Sequence, residues 1–167
     1  MRRSERPQRG LTLLEMMVAV AIVAVLASLA VPGFGATLSR LHLKAAAERV
    51  AADLSEARFE ATRRGQATHL HFEPGAQWCY AVALAPACGC GSAQPCQIRQ
   101  TLGRDHTGVV LEQAQDLHFD PAAGTASVPA ALRLRSSHGE LLQVELTRLG
   151  RAKVCSPDGS TPGYPAC

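Results

Sequence analysis

The feature that most constrains this chain is an apolar run near its amino terminus, residues 13–31, which carries a single charge, Glu15. As a helix this run rises about 28 Å at 1.5 Å per residue, which matches the hydrocarbon core of a bilayer. Four arginines and one glutamate precede it within the first ten residues. Because basic flanks stay in the cytoplasm, the sequence predicts one membrane span with the remaining chain exported.

A cleaved secretory signal peptide is the alternative, because residues 28–30 (Ser-Leu-Ala) have the small residues of a cleavage site. The apolar run, however, is longer than the usual 7 to 15 residues of a signal peptide core. Glu15 also lies inside it, where an unpaired carboxylate costs about 2.5 kcal/mol or more. Its side chain either extends to the headgroups or meets a charged partner. We therefore favour a helix that stays in the membrane.

The charge balance limits the possible ligands. The formal net charge is +3, but 13 basic and 13 acidic residues follow residue 10, so the excess lies in the amino-terminal tail. A generally basic nucleic-acid binder is excluded, and any affinity for phosphate has to come from a local patch. The sequence also contains no glycine-rich phosphate loop, no G-x-S-x-G and no H-E-x-x-H. We predict neither an enzyme nor a bound cofactor.

The helix is predicted to resume after the apolar run, over residues 33–65, and to continue into the globular domain. Pro32, Gly33 and Gly35 predict a kink or joint after the apolar run, and Gly65 follows the helix as its stop. Apolar residues then recur at spacings of three and four, which predicts an amphipathic helix. They are Leu43, Ala47, Val50, Leu54, Ala57 and Ala61.

The periodicity changes from helical to alternating after Gly65, and turn signals separate the alternating segments. About seven short strands after a long helix predict an α+β fold, with a small antiparallel sheet or sandwich over residues 66–167. His69 and His71 share one strand face, but no third metal ligand is placed by the sequence, so a solvated polar face is favoured. The segments are 68–72, 78–84, 97–102, 109–113, 117–119, 131–135 and 141–149.

Cysteine content indicates an oxidising compartment, because an even number of cysteines in a small domain is typical of disulfides. Cys88 and Cys90 are too close to pair comfortably with each other, so their partners are Cys79 and Cys96, in one of two arrangements. A four-thiolate zinc site of the same residues is the alternative, but exported thiols more often oxidise. We therefore predict no metal. The six cysteines are Cys79, Cys88, Cys90, Cys96, Cys155 and Cys167.

The carboxyl-terminal segment between Cys155 and Cys167 has no hydrophobic periodicity and contains three prolines. A disulfide between the two cysteines closes it into a ring, which stabilises a chain by about 3 kcal/mol. Without that bond the tail is expected to fray.

The amino-terminal segment R-G-L-T-L-L-E, residues 9–15, with the long apolar helix behind it, closely resembles the processing site of type IV prepilins and type II secretion pseudopilins. This resemblance implies a leader of residues 1–10, cleavage between Gly10 and Leu11 by a prepilin peptidase, and methylation of the new amino group. It also implies a transmembrane helix over residues 11–32 that later joins a filament of similar subunits. Leu11 stands where phenylalanine is commoner. Glu15 can then neutralise the amino group of a neighbouring subunit, since buried charges are tolerated when paired.

The remaining domain agrees with the pilin-like GspH/FimT family. Residues 150–155 (G-R-A-K-V-C) resemble the G-R-x-R-x-C motif of FimT-type minor pilins, which are implicated in binding DNA during natural transformation. Arg148, Arg151 and Lys153 are the candidate DNA-binding residues, and a solvated strand edge is the alternative. Lys153 keeps the charge of the second arginine without its planar fork.

We therefore predict a minor pilin of a type IV pilus, anchored in the inner membrane with a periplasmic domain and displayed in a surface filament after assembly. A GspH-like pseudopilin of the type II secretion system is the alternative. The expected partners are the prepilin peptidase, other pilins and, through the basic motif, double-stranded DNA.

Overall fold

The computed structural model describes residues 12–91, 95–159 and 161–167, except for the side chains of residues 29–34. The chain divides into two compact units, Met1–Ala36 and Thr37–Cys167. Helix α1 (Leu13–Arg64) contributes to both. Helical backbone continues through Pro32, the place at which a kink or joint is predicted. A proline removes one backbone hydrogen bond, and the flanking turns retain theirs.

Strands and one short 3₁₀ helix follow α1, and the predicted α+β class is confirmed. Eight strands are assigned in the described residues instead of about seven. The additional one arises because the last predicted segment, 141–149, ends at Leu146 and the chain re-enters the sheet after Gly150. The strands are β1 (Thr68–Glu73), β2 (Cys79–Ala83), β3 (Gln97–Leu102), β4 (Val109–Gln113), β5 (Leu117–Phe119), β6 (Ala130–Ser136), β7 (Leu141–Leu146) and β8 (Ala152–Cys155), with the 3₁₀ helix at Gly103–Asp105.

These strands form two four-stranded sheets rather than one. The first sheet has the order β3-β2-β1-β5 and the second the order β4-β6-β7-β8. All the pairings are antiparallel. Strand β8 therefore lies at an edge of the second sheet, and β5 at an edge of the first.

The core lies between the carboxyl-terminal half of α1 and the two sheets. The predicted apolar stripe is confirmed, since each of its six residues is at most 1% exposed. Four of the six are not larger than valine, so the helix backbone can approach the strands closely. One continuous hydrophobic cluster joins this stripe to the inner faces of both sheets, including Tyr80 of the first and Leu132 of the second.

One buried charge ties α1 to the first sheet. The side chain of Asp53 is 1% exposed, and its Oδ1 accepts a hydrogen bond from Nη1 of Arg99 on β3 at 2.8 Å. Its Oδ2 accepts one from the Tyr80 hydroxyl at 2.7 Å and lies 3.2 Å from Nε of Arg49. Burial, and then the neighbouring carboxylate, raise the pKa of Tyr80. This cluster was not predicted, because Asp53 looks like any polar residue of an amphipathic helix.

Disulfides hold the loop after β2 against the outer face of the first sheet. Of the two arrangements that the spacing allowed, the structure has Cys79–Cys90 and Cys88–Cys96. Side chains of the sheet bond to loop carbonyls: Gln100 to that of Gly91 at 3.1 Å, and His71 to that of Pro86. The loop therefore covers the outer side of β2, whose five residues are all buried.

Candidate functional site

The predicted cleavage site, Gly10 and Leu11, lies outside the described residues. Helix α1 begins directly after it, with Thr12 as the cap: the Thr12 Oγ1 accepts the backbone N–H of Glu15 at 3.2 Å. Glu15 thus occupies the first helical turn, where the positive end of the helix dipole stabilises a carboxylate. Its side chain is exposed, and no ion pair of it occurs within the described part of the chain.

The expected membrane span, 13–31, runs into residues whose side chains are not described. Within the residues that are described, no helical segment meets the combined length and apolarity of a membrane-crossing helix. The described side chains of this segment are exposed nonetheless: Leu13 is 82% exposed and Val23 64%.

The basic motif lies at the turn between β7 and β8. The N–H of Thr147 donates to the carbonyl of Arg151 at 3.0 Å, and the N–H of Gly150 donates to the carbonyl of Thr147 at 2.9 Å. Arg148 sits in this turn, and its carbonyl accepts the N–H of Ala126 at 2.9 Å. The turn therefore fixes Arg148 and Arg151 at one edge of the second sheet, with both side chains exposed.

Gly150 of the motif has a packing role that its sequence context does not reveal. Its φ is +74°, and a β-carbon there would lie 2.7 Å from both the Arg58 Cδ and the carbonyl oxygen of Gly124. Arg58 of α1 reaches into this place and donates from Nε to that same carbonyl at 2.9 Å. Only glycine combines the left-handed backbone with this close approach.

Lys153 is less available than the sequence indicated. It lies on the exposed outer face of β8, whereas Arg151 directly precedes the strand. On that face it lies opposite Glu145 of β7, and its Nζ is 2.9 Å from the Glu145 Oε2. The hydrogen bond from Lys153 lowers the pKa of Glu145. Within the described residues, Arg148 and Arg151 have no such ion pair, so two of the three predicted cations at this end of the sheet are uncompensated.

The tail beside this motif is closed by the Cys155–Cys167 bond, as predicted. Tyr164 holds the disulfide-closed tail against α1. Its hydroxyl donates a hydrogen bond to Glu48 at 2.8 Å, and the centre of its aromatic ring lies 5.4 Å from the Lys44 Nζ. Burial, and then Glu48, raise the pKa of Tyr164 to about 12. The tail is therefore attached at both the disulfide and the helix.

The alternative zinc site needs thiolates, and all six cysteine sulfurs are engaged in disulfides. Among the described residues, Glu73 lies near the Cys79–Cys90 disulfide and Glu145 lies near the Cys155–Cys167 disulfide. Because a disulfide sulfur is no longer a thiolate, neither group offers the ligands of a structural zinc site.

A histidine cluster forms on the outer face of the first sheet, where the sequence placed only two histidines. His69 of β1 lies directly opposite His118 of β5. The Nδ1 of His71 lies 2.7 Å from the Oδ2 of Asp116, which directly precedes β5. Burial, then His118 and His71, lower the pKa of His69. The pairing of β1 with β5 brings the third histidine, His118, to this face, which the spacing along the sequence could not show.

Two family models match the chain. The prokaryotic N-terminal methylation motif matches residues 6–31, and the type II transport protein GspH matches residues 46–150. The latter region runs from α1 to the turn before β8 and is more than half of the chain. No match is found among curated proteins.

Two solved structures are similar in fold. The type IV minor pilin FimU of Pseudomonas aeruginosa has a TM-score of 0.55 and 19% identity, covering 75% of this chain and 96% of its own. The minor pseudopilin EpsH from the Type 2 Secretion System of Vibrio cholerae has a TM-score of 0.51 and 17% identity, covering 70% of this chain and 98% of its own. The similarity to these structures shows the fold, and the two family models show the family. The chain belongs to the GspH family of minor pilins and pseudopilins.

Proposed function

We propose that this protein is a minor pilin of a type IV pilus, processed between Gly10 and Leu11 and held in the inner membrane by its apolar helix until it enters the filament. The observation that carries the proposal is the methylation motif at residues 6–31 joined to a GspH domain at 46–150. The disulfide-closed tail and its basic motif favour a pilus. The family and the likeness to EpsH favour the second candidate, a pseudopilin of type II secretion.

Glu15 has a defined task in this proposal. Thr12 already caps the helix through its hydroxyl, so the Glu15 carboxylate is not needed for the backbone at this end. It is exposed and free to meet the amino group of Leu11 on a neighbouring subunit, which cleavage creates. In a filament interior the two charges neutralise each other, as buried charges require.

Amino-terminal sequencing of the membrane-bound mature protein tests the processing step, with Leu11 as the expected first residue. A mature terminus at Val31 would instead establish a secretory signal peptide. The variant Glu15→Ala should insert into the membrane normally, since it removes a charge from the apolar run, and should be depleted from sheared filaments. Thr12→Ala is the control for the helix cap, and normal filament entry of Glu15→Ala would refute the role of the carboxylate.

Deletion of the gene separates the two candidates. A minor pilin predicts loss of surface pili with protein secretion intact. A secretion pseudopilin predicts the reverse.

We further propose that the protein is FimT-like and binds double-stranded DNA weakly and without sequence preference. Arg148 and Arg151 supply the phosphate contacts, and Lys153 joins them only when it leaves Glu145. Two uncompensated cations imply a slope of log affinity against log salt of about −2, and a dissociation constant on the order of micromolar or weaker. Residues 151–167 lie beyond the GspH match, so this part rests on the geometry of the motif alone.

Gel shifts with the globular unit, residues 37–167, test the DNA proposal, since the whole hydrophobic cluster lies within it. Arg151→Gln should weaken binding and reduce the salt slope by about one unit. Lys153→Gln should have a smaller effect, whereas Glu145→Gln should strengthen binding because it releases Lys153. Arg104 is an exposed cation of the 3₁₀ helix, and Arg104→Gln is the control for the change in net charge. Equal losses in Arg104→Gln and Arg151→Gln would refute the proposed site.

A further inference from the structure

A cavity of about 710 Å³ opens between the loop before β2, the 3₁₀ helix and the start of β4. All of its lining residues belong to the unit Thr37–Cys167. A volume of this size falls within the range of small-molecule sites, about 300–1,000 Å³. The globular unit therefore has room for a small ligand. The walls include Gln77, Trp78, Leu102, Arg104, Thr107 and Val110.

The wall at Trp78 is fixed by contacts on several sides. Its backbone carbonyl accepts the N–H of Gly103 at 2.6 Å, and its indole Nε1 donates to the carbonyl of Val109 at 2.9 Å. The indole also stacks on His106, with ring centres 5.6 Å apart. A β-carbon on Gly103 would lie 2.8 Å from the indole Cδ1, so the close approach of the 3₁₀ helix requires glycine. The contacts within the chain thus suffice to form this wall of the cavity.

Three exposed polar side chains of the lining have no partner in the part of the chain that the structure describes. They belong to Gln77, Arg104 and Thr107, and none of them makes a side-chain hydrogen bond or ion pair there. Arg104 is also the only charged residue among the described residues that line the cavity. Asp105, the next residue, lines a different cavity beside Arg49. The charge at this opening is therefore one guanidinium whose donors are free to bind an anion.

Apolar surface completes the lining, since Leu102 and Val110 are half-buried there. A guanidinium fork binds a carboxylate through two parallel hydrogen bonds, and apolar walls favour a hydrocarbon. A cationic ligand would meet no carboxylate among the described lining residues.

We propose that this cavity binds an apolar monocarboxylate of the fatty-acid class. The carboxylate lies on the guanidinium of Arg104, and the hydrocarbon chain packs against Leu102 and Val110. The proposal is independent of the DNA proposal, because the cavity and the β7–β8 turn share no residue.

The test uses the oxidised globular unit, residues 37–167, which contains the whole hydrophobic cluster and the three disulfides. Without the apolar half of α1 no detergent is needed, so none competes for the cavity. Calorimetric titration with decanoate should show one site, with a dissociation constant on the order of 0.1 mM. Octanoate should bind up to about 15-fold more weakly, because each buried methylene contributes about fourfold in affinity. Decylamine, which has the same chain length and the opposite charge, should not bind.

Variants of Arg104 decide the assignment. Arg104→Gln changes an exposed residue, so folding should be retained, and circular dichroism checks this. It should weaken decanoate binding at least tenfold, whereas Arg104→Lys should bind with intermediate affinity because it keeps the charge without the planar fork. Arg151→Gln makes the same change in net charge at another surface and should bind as the wild type does.

Amide NMR signals locate the ligand, and the shifts caused by decanoate should centre on residues 76–78 and 102–110. The proposal is overturned if the wild type shows no saturable binding, or if Arg104→Gln binds as tightly as the wild type. Decylamine binding as tightly as decanoate, octanoate binding equally well, or shifts centred elsewhere would also overturn it.

Discussion

Asp53 offers the sharpest test of how α1 is held to the first sheet. Its carboxylate receives hydrogen bonds from Arg99 and Tyr80 and lies within ion-pair distance of Arg49, while 1% of its side chain is exposed. The variant Asp53→Ala leaves the Tyr80 hydroxyl buried without its acceptor and two arginines without their common carboxylate.

The size of the loss follows from burial. Removing one partner of a buried ion pair costs about 3–5 kcal/mol, because the other charge stays uncompensated. Side chains of Arg99 and Arg49 are 31% and 47% exposed, so water can partly solvate both. We therefore expect the lower end, about 3 kcal/mol, with Tyr80→Phe costing roughly 1 kcal/mol for its hydrogen bond alone. A loss of 3 kcal/mol corresponds to a fall in Tm of about 10 °C.

Urea unfolding of residues 37–167 under oxidising conditions measures these values. Glu56→Ala is the matched control, since Glu56 binds the same arginine at 2.8 Å from a side chain that is 45% exposed. Exposed pairs of this kind contribute about 0–1 kcal/mol. If Asp53→Ala and Glu56→Ala differ by less than about 1 kcal/mol, then burial does not set the strength of the cluster, and the reasoning fails.

Three further outcomes are expected. Gly150→Ala should lower the free energy of unfolding by about 2 kcal/mol or more, since its β-carbon would meet atoms at 2.7 Å. Gly159→Ala should lower it by less, because Gly159, with a φ of +68°, has open space where a β-carbon would lie. Thermal unfolding compares the two variants. Tyr164, with a pKa of about 12 against 10.0 for free tyrosine, contributes stability that is complete below pH 10 and lost as the pH rises through about 12. In Glu48→Gln its titration by NMR should move back towards 10. Cys167→Ala should open the tail and lower stability by about 3 kcal/mol in urea unfolding, whereas an unchanged midpoint would show that the ring adds nothing.

The sequence was most informative where one local pattern suffices. The apolar stripe at spacings of three and four placed the buried face of α1 correctly, and alternation placed seven of the strands. The Cys155–Cys167 bond could be predicted because its two residues bracket a tail without periodicity. Strand β8 was missed as a separate strand, because the turn at Gly150 follows the end of β7 inside a segment that was predicted as one strand, 141–149.

The chemistry of the surface depended on pairing between strands, which single-sequence reasoning does not supply. The neutralisation of Lys153 depends on the register that sets it opposite Glu145. The third histidine of the cluster depends on the pairing of β1 with β5, although 47 residues of sequence numbering separate His71 from His118. Asp53 is a similar case, since two of its partners, Tyr80 and Arg99, lie 27 and 46 positions further along the chain.

The two sheets present different outer surfaces, and this difference bears on where the proposed DNA contact lies. The disulfide-bearing loop covers the outer side of β2 in the first sheet, and the cavity of about 180 Å³ beside Pro86 is too small for a polymer. The outer face of the second sheet instead carries alternating charges, among them the pairs of Arg135 with Glu112 and of Lys153 with Glu145. In the proposed binding, a DNA backbone reaches these paired cations only by displacing carboxylates, so the uncompensated arginines of the β7–β8 turn are the expected first point of contact.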